Sequence, residues 1–166
     1  NSFYRNYLTY DTKGDSYVSQ KSNFLVNIRR IIKLHETMLK QICQDYHLSL
    51  IEATIISFLY NNPGKDTAAD IVELRMLSKG NVSQAVESLI QKSILQRKQD
   101  TEDRRKIHLS LTPAAHPITQ ELEIISKEFL EEVFSGLSQE ELELLERMND
   151  RIIENTKNAI ARREKL

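Results

Sequence analysis

"LSKGNVSQAVESLIQKSILQRKQDTEDRRKIHLSLTP", Leu77 to Pro113, decides the fold. Its first half has helical spacing, with Val82, Ala85, Val86, Leu89 and Ile90 on one face. Its second half has strand spacing: "SILQRKQ" is a short strand, and "KIHLSL" puts Ile107, Leu109 and Leu111 on one face. Along Arg97–Thr112 the cations Arg97, Lys98, Arg104, Arg105, Lys106 and, at low pH, His108 surround only Asp100, Glu102 and Asp103. Two adjacent arginines and a lysine repel one another on a hairpin tip that faces only water. They become useful where the partner is a phosphate backbone or the narrow, negative minor groove.

The helix before the hairpin carries the complementary signal. Ser78 precedes it as an N-cap, and its outward side shows Lys79, Gly80, Asn81, Ser83, Gln84, Ser88 and Gln91 with one late acid, Glu87. Solvated helix faces are usually laced with Glu and Lys. Amide, hydroxyl and ammonium groups are the types that hydrogen-bond to base edges and phosphates in a major groove, and the helix N-terminus itself favours phosphate. Upstream, Thr67 with Asp70 three residues on starts a short helix, and a tight turn at Met76–Leu77 joins the two. A short helix, a turn, a polar-faced helix and a hairpin spell a winged helix-turn-helix.

Further out, Ser49 with Glu52 makes a capping box for the helix "LIEATIISFLY", with Leu48 placed as a hydrophobic staple and "NNPG" as the stop. Between Phe24 and Tyr46 the residues Leu25, Ile28, Ile32, Leu39, Ile42 and Tyr46 step by three or four, His35 filling one gap, while Phe24, Ile31 and Met38 form a second row. A helix with two apolar rows needs two neighbours, inside the fold or across a dimer interface. Beyond the hairpin, Thr112–Pro113 reads as an N-cap followed by proline at the first helical position. The helix that follows carries Ile118, Leu122, Ile125, Phe129 and Val133, and Gly136 ends it. Ser138 with Glu141 caps a last helix to about Arg162, whose seam is Leu142, Leu145, Asn149, Ile152, Thr156 and Ala159. The polar, Tyr-rich residues 1–23 read as an arm.

The 166 residues suffice for one domain with extra helices, and the net charge of −1 excludes a uniformly basic coat but not a local basic patch. Residues 64–112 hold nine Lys and Arg against seven Asp and Glu, a net of +2, whereas residues 121–166 hold seven against twelve, a net of −5. One cysteine, Cys43, allows no intrachain disulfide and fits a reducing cytoplasm. No apolar run reaches membrane-spanning length, so no membrane partner is expected. His35, His47, His108 and His116 lack metal-site spacing, and there is no phosphate loop, nucleophile elbow or catalytic carboxylate pair. Neither an enzyme activity nor a cofactor is expected.

The segments "LSKGNVSQAVESLIQKSIL" and "DTEDRRKIHLSLTP" resemble the multiple-antibiotic-resistance regulator (MarR) family of winged-helix transcription factors. The most specific element is Asp103 and Arg105 ahead of the alternating strand and Thr112–Pro113. The motifs cover Leu77–Pro113, and the helix order matches over about Phe24 to Ala161. The resemblance implies a mainly α fold with a small β-hairpin wing. A winged helix-turn-helix domain at 48–112 is then flanked by a helical dimerisation region at 24–47 and 113–166. It implies a cytoplasmic homodimer that binds double-stranded DNA at an inverted-repeat operator, most often a repressor, with a small-molecule effector between the dimer helices and the winged helix. Ser78, Lys79, Asn81, Ser83 and Gln84 would face DNA from the recognition helix, and Arg104, Arg105 and Lys106 would do so from the wing. Arg105 would enter the minor groove, positioned by Asp103. Three residues depart from the family pattern: Gln84 replaces a frequent Arg, Ser93 a usual Gly after the recognition helix, and Ala115 the Gly of "TP-G". Two other functions fit the same residues: a winged-helix protein–protein adaptor, and a ligand or redox sensor, with Cys43 as the thiol, whose DNA binding is secondary.

Overall fold

The computed structural model describes residues 15–164. Its elements are α1 (Asp15–Asp45), α2 (Leu50–Asn61), α3 (Ala68–Arg75), α4 (Lys79–Gln91), β1 (Leu95–Gln99), β2 (Ile107–Leu111), a 3₁₀ turn (Pro113–Ala115), α5 (His116–Val133) and α6 (Gln139–Arg163). The first fourteen residues of the expected arm lie outside the described residues. From Asp15 onward the chain is already helical, although the apolar period starts only at Phe24.

The helix starts follow from local chemistry. The Ser49 and Thr67 side chains each accept a hydrogen bond from the backbone N–H three residues on, and the Glu52 and Asp70 carboxylates accept one from the cap residue's own N–H. The same box, Ser138 with Glu141, opens α6. The ends of α1 and α4 are closed by left-handed residues that are not glycine, His47 at φ 51° and Ser93 at φ 60°. After α4, Ser93 N–H donates to the Ile90 carbonyl and Ile94 N–H to Leu89, which satisfies the last carbonyls of the helix. Ser93 therefore takes the conformation for which glycine is the unstrained residue.

The described residues fall into two compact units, divided between Phe129 and Leu130. In the first, α2, α3 and α4 and the hairpin enclose Ile55, Ile56, Phe58, Ile71, Val82, Leu89, Leu95 and Leu109. This core also takes Leu39 and Ile42 from α1 and Ala115, Ile118 and Leu122 from α5, so it runs across positions 48 and 112. β1 pairs antiparallel with β2, Leu95 opposite Leu111 and Gln99 opposite Ile107. On the expected inner face of β2, Leu109 is buried and Leu111 half-buried, but Ile107 is 46% exposed because it sits where the hairpin leaves the core. Thr112 stands at the N-cap of the turn with Pro113 behind it, as expected, but its side chain makes no capping hydrogen bond. Its hydroxyl donates to the Ser93 carbonyl at 2.6 Å and fastens the end of β2 to the start of β1.

Three polar or reactive side chains are buried or half-buried in the first unit. His35 meets Phe129 edge-on at 5.0 Å, and burial, followed by the nearby Arg75 guanidinium, lowers its pKa. Burial, followed by Glu52, pushes the Cys43 thiol up, the opposite of what a reactive thiolate needs. Glu52 is almost fully buried. Its carboxylate accepts from Lys92 Nζ at 2.8 Å and from Ser49 N–H at 2.6 Å, while Lys92 also donates to the His47 carbonyl at 2.7 Å. Burial alone would raise Glu52, but the bonds from Lys92, Ser49 and Ser88 outweigh it and hold the carboxyl below its ordinary value of 4.5. The stability this supplies is present above that ordinary value and is lost as pH falls through the lowered one. Lys92→Met is expected to cost about 1–2 kcal/mol at neutral pH, less than a fully buried pair because Lys92 is partly solvated. The deficit should shrink toward pH 4, where Glu52 in the variant is protonated. Equal deficits at pH 7 and pH 4 in denaturant unfolding would contradict this role.

The second unit contains the end of α5, the turn at Gly136 (φ 81°) and α6. No described residue of α6 is buried. Among the described residues no helix is long and apolar enough to cross a membrane, and no group of three His, Cys, Asp or Glu side chains could hold a metal ion.

Candidate nucleic-acid interface

α4 is fixed from both sides. Its inner face, Val82, Ala85, Val86 and Leu89, is buried in the core, and Ser78 caps its start by accepting from Asn81 N–H at 3.2 Å. Ser78, Lys79, Asn81, Ser83 and Gln84 are all exposed. Asn81 and Gln84 also border an open cleft of about 380 Å³ with Ser49, Ile51, Glu52, Ala85 and Ser88. A Cβ at Gly80 would meet nothing, so nothing within the chain demands glycine there. The late acid, Glu87, is neutralised by an ion pair to Arg97 of β1. That pair removes the helix's only negative charge, ties the first wing strand to α4, and takes Arg97 out of the free cations of the wing.

The tip loop is built on Asp100. One carboxylate oxygen accepts the backbone N–H groups of Glu102 and Asp103, each at 2.7 Å. Asp100 N–H donates to the Lys106 carbonyl at 3.0 Å, and Lys106 N–H to the Asp103 carbonyl at 2.8 Å. Gln99 Nε2 holds the Arg104 carbonyl at 2.8 Å. The Asp103 side chain accepts from the backbone N–H of Arg105 at 3.0 Å. Asp103 thus organises the turn beneath Arg105 and does not grip its guanidinium. The loop is fully folded, and its cations are left over. Among the described residues no acidic side chain pairs with Lys79, Lys98, Arg104, Arg105 or Lys106.

Sequence reading leaves Asp66 out and names Asp100 and His108 only as members of the tip's charge cluster, not as parts of one linked set. The His108 ring lies 2.7 Å from Asp66, in the loop before α3, and 2.9 Å from Asp100. The hydrogen bonds to Asp100 and then Asp66 raise its pKa above the ordinary value of 6.5, against a smaller opposing effect of desolvation. Asp100 is driven far below the ordinary carboxylate range, first by Asp103 N–H, then by His108 and Glu102 N–H. The available signal for Asp100 was an aspartate opening a tight loop, where its side chain caps the N–H groups two and three residues on. Nothing in local spacing announces Asp66, 42 residues from His108.

The arrangement offers an acid-free helix N-terminus with hydroxyl and amide groups, next to a folded loop carrying unpaired cations. Both suit a polyanion with readable edges. Residues 47–106 match the model of the MarR family. Among solved structures the chain is similar to S. aureus MepR in its DNA-binding conformation, with 19% identity and a TM-score of 0.73 over 80% of this chain and 98% of that one. It is similar to S. aureus MepR in a complex with DNA, with 20% identity and a TM-score of 0.67 over 80% and 97%. It also resembles BpsR of Bordetella bronchiseptica, whose DNA binding is regulated by 6-hydroxynicotinic acid, with 21% identity and a TM-score of 0.62 over 78% and 98%. Identities this low establish a shared fold and no more. A comparison with curated proteins finds none that matches.

Proposed function

We propose that this chain, which carries a MarR-family winged helix, is a dimeric, sequence-specific DNA-binding regulator of transcription, a repressor released from its operator by a small-molecule effector. The observation that carries the DNA-binding part is the contrast in pairing: Glu87 and Arg97 neutralise each other, while Lys79, Arg104, Arg105 and Lys106 have no acidic partner among the described residues. In this reading Ser78, Lys79, Asn81, Ser83 and Gln84 occupy the major groove, and Asp103, Arg104, Arg105 and Lys106 serve the wing at the minor groove. The similarity to MepR and BpsR, one seen with DNA and the other regulated by an aromatic acid, supports both a DNA partner and an effector. A redox role for Cys43 loses ground because burial raises its thiol.

Selection of bound duplexes from a random pool tests the reading directly. A twofold dimer should enrich an inverted repeat with centres about one helical turn apart. Failure to enrich any motif would favour the adaptor function instead. Two substitutions refine the test. Gln84→Ala should change the preferred base at one position per half-site, because an amide can pair with adenine N6 and N7; an unchanged motif would remove Gln84 from the reading set. Lys79→Ala should weaken binding uniformly and lower the salt slope by about one.

A further inference from the structure

The imidazole of His108 joins the body of the winged helix to the loop that carries the wing's cations. On one side its Nδ1 lies 2.7 Å from Asp66 Oδ1, and on the other its Nε2 lies 2.9 Å from Asp100 Oδ2. The second Asp100 oxygen holds the N–H groups of Glu102 and Asp103, and Asp103 in turn holds Arg105 N–H. The Asp66 end is itself anchored: Leu109 N–H donates to the Asp66 carbonyl at 2.7 Å, and Thr67 makes a β-bridge with His108. In this run every carboxylate can only accept. A neutral imidazole donates from one nitrogen and presents a lone pair from the other, so only the doubly protonated ring satisfies both ends.

We infer that His108 is the positioning residue of the wing. Donating to Asp66 and Asp100 together, it clamps the tip loop to the segment before α3 and so sets where Arg104, Arg105 and Lys106 stand when DNA arrives. The functional half of this inference rests on the DNA-binding reading; the clamp itself does not. The charged groups facing the ring are Asp66 on the loop, Asp100 at the end of β1, Lys98 as its cross-strand partner, and Asp70 at the start of α3, with Lys65 acting on Asp70. The two bonded acids outweigh desolvation, the one opposing effect, which keeps the proton on the ring above its ordinary value. The clamp is therefore complete below that ordinary value and opens as pH rises through the raised one, when one carboxylate comes to face a lone pair.

The experiment follows the unsubstituted full chain, His108→Gln and Asp66→Asn from pH 5.5 to 8.5. Two readouts are recorded: affinity for the duplex that the unsubstituted protein enriches from a random pool, and the amide resonances of Glu102, Asp103 and Arg105. The unsubstituted chain should lose about tenfold in affinity across the range, the size of one charge-assisted hydrogen bond. Its three wing amides should titrate with the midpoint of the His108 ring. His108→Gln should sit at the weaker limb and stay flat, and Asp66→Asn should lower the midpoint of ring and amides together. Wing amides indifferent to pH, or an affinity that falls in His108→Gln in parallel with the unsubstituted chain, would overturn the inference. If the unsubstituted chain binds no duplex at any pH, the DNA-binding reading fails and takes the functional half with it. The amide titration then still decides whether His108 holds the tip.

Discussion

Ile152→Asp is expected to leave the protein monomeric at micromolar concentration and unable to hold its operator. α6 buries none of its described residues, yet Leu144, Leu145, Met148, Ile152, Ile153 and Ile160 are all exposed along it. The stretch of α1 up to Ile32 is similar, with Phe24, Leu25 and Ile32 each at least half exposed. Exposed apolar rows of this kind, each on its own helix, mark interfaces, and the commonest closed solution is a twofold pair of identical surfaces. A carboxylate at position 152 would be buried unpaired twice in such a pair, at a cost of several kcal/mol for each copy. It should not harm the isolated helix, because Ile152 is 39% exposed within one chain and the Ser138–Glu141 capping box lies far along the helix from it. Loss of the dimer would leave each chain with a single half-site and remove the gain from binding two linked sites. Light scattering should give twice 19.3 kDa for the unsubstituted chain and 19.3 kDa for the variant, with unchanged helical circular dichroism. An unsubstituted chain that stays at 19.3 kDa would sink the dimer. A variant that remains dimeric would take Ile152 out of the interface.

The legible parts of this protein were those fixed by neighbours in sequence. Serine or threonine three residues before an acid located α2, α3 and α6, because a capping box satisfies its donors within one turn. The period along α4 separated its buried face from its polar face correctly, since both follow from one helix axis. The start of α1 was not legible, because residues 15–23 have no apolar stripe to announce a helix. The exposure of Ile107 was hidden for another reason: alternation gives the side of a strand, not how far the strand extends beyond the core. Thr112 takes the N-cap position that its place before Pro113 announces, but the partner of its hydroxyl, the Ser93 carbonyl, comes close only when the hairpin closes. The clamp at His108 is illegible for the same reason. His108 and Asp66 meet through tertiary packing, and no local spacing encodes the contact. Of the candidate site, the exposed residues could be named from sequence, but the bonds that hold them in place could not.

Arg105→Ala and Asp103→Ala should both weaken operator binding, although they remove opposite charges. For Arg105 the expected loss is about 1–3 kcal/mol with the fold intact, the size of a specific arginine contact to DNA. Its side chain has no acidic partner among the described residues, so nothing in the free protein is broken by its removal. Arg105→Lys should recover only part of the loss, because a planar guanidinium is less hydrated and fits a narrow groove better than an ammonium. Asp103 separates two explanations of the wing. If the tip is simply a charge cluster, deleting an acid beside DNA tightens binding, and alanine and asparagine do so equally. The geometry argues otherwise, because Asp103 Oδ1 accepts Arg105 N–H at 3.0 Å and so shapes the backbone on which Arg105 stands. Alanine removes that acceptor and should cost about 0.5–1.5 kcal/mol, the net worth of one hydrogen bond. Asparagine keeps an acceptor oxygen and sheds the charge, so Asp103→Asn should bind at least as well as the unsubstituted chain. Weakening by alanine with recovery by asparagine identifies Asp103 as a backbone brace. Equal tightening by both would reduce the wing to its net charge.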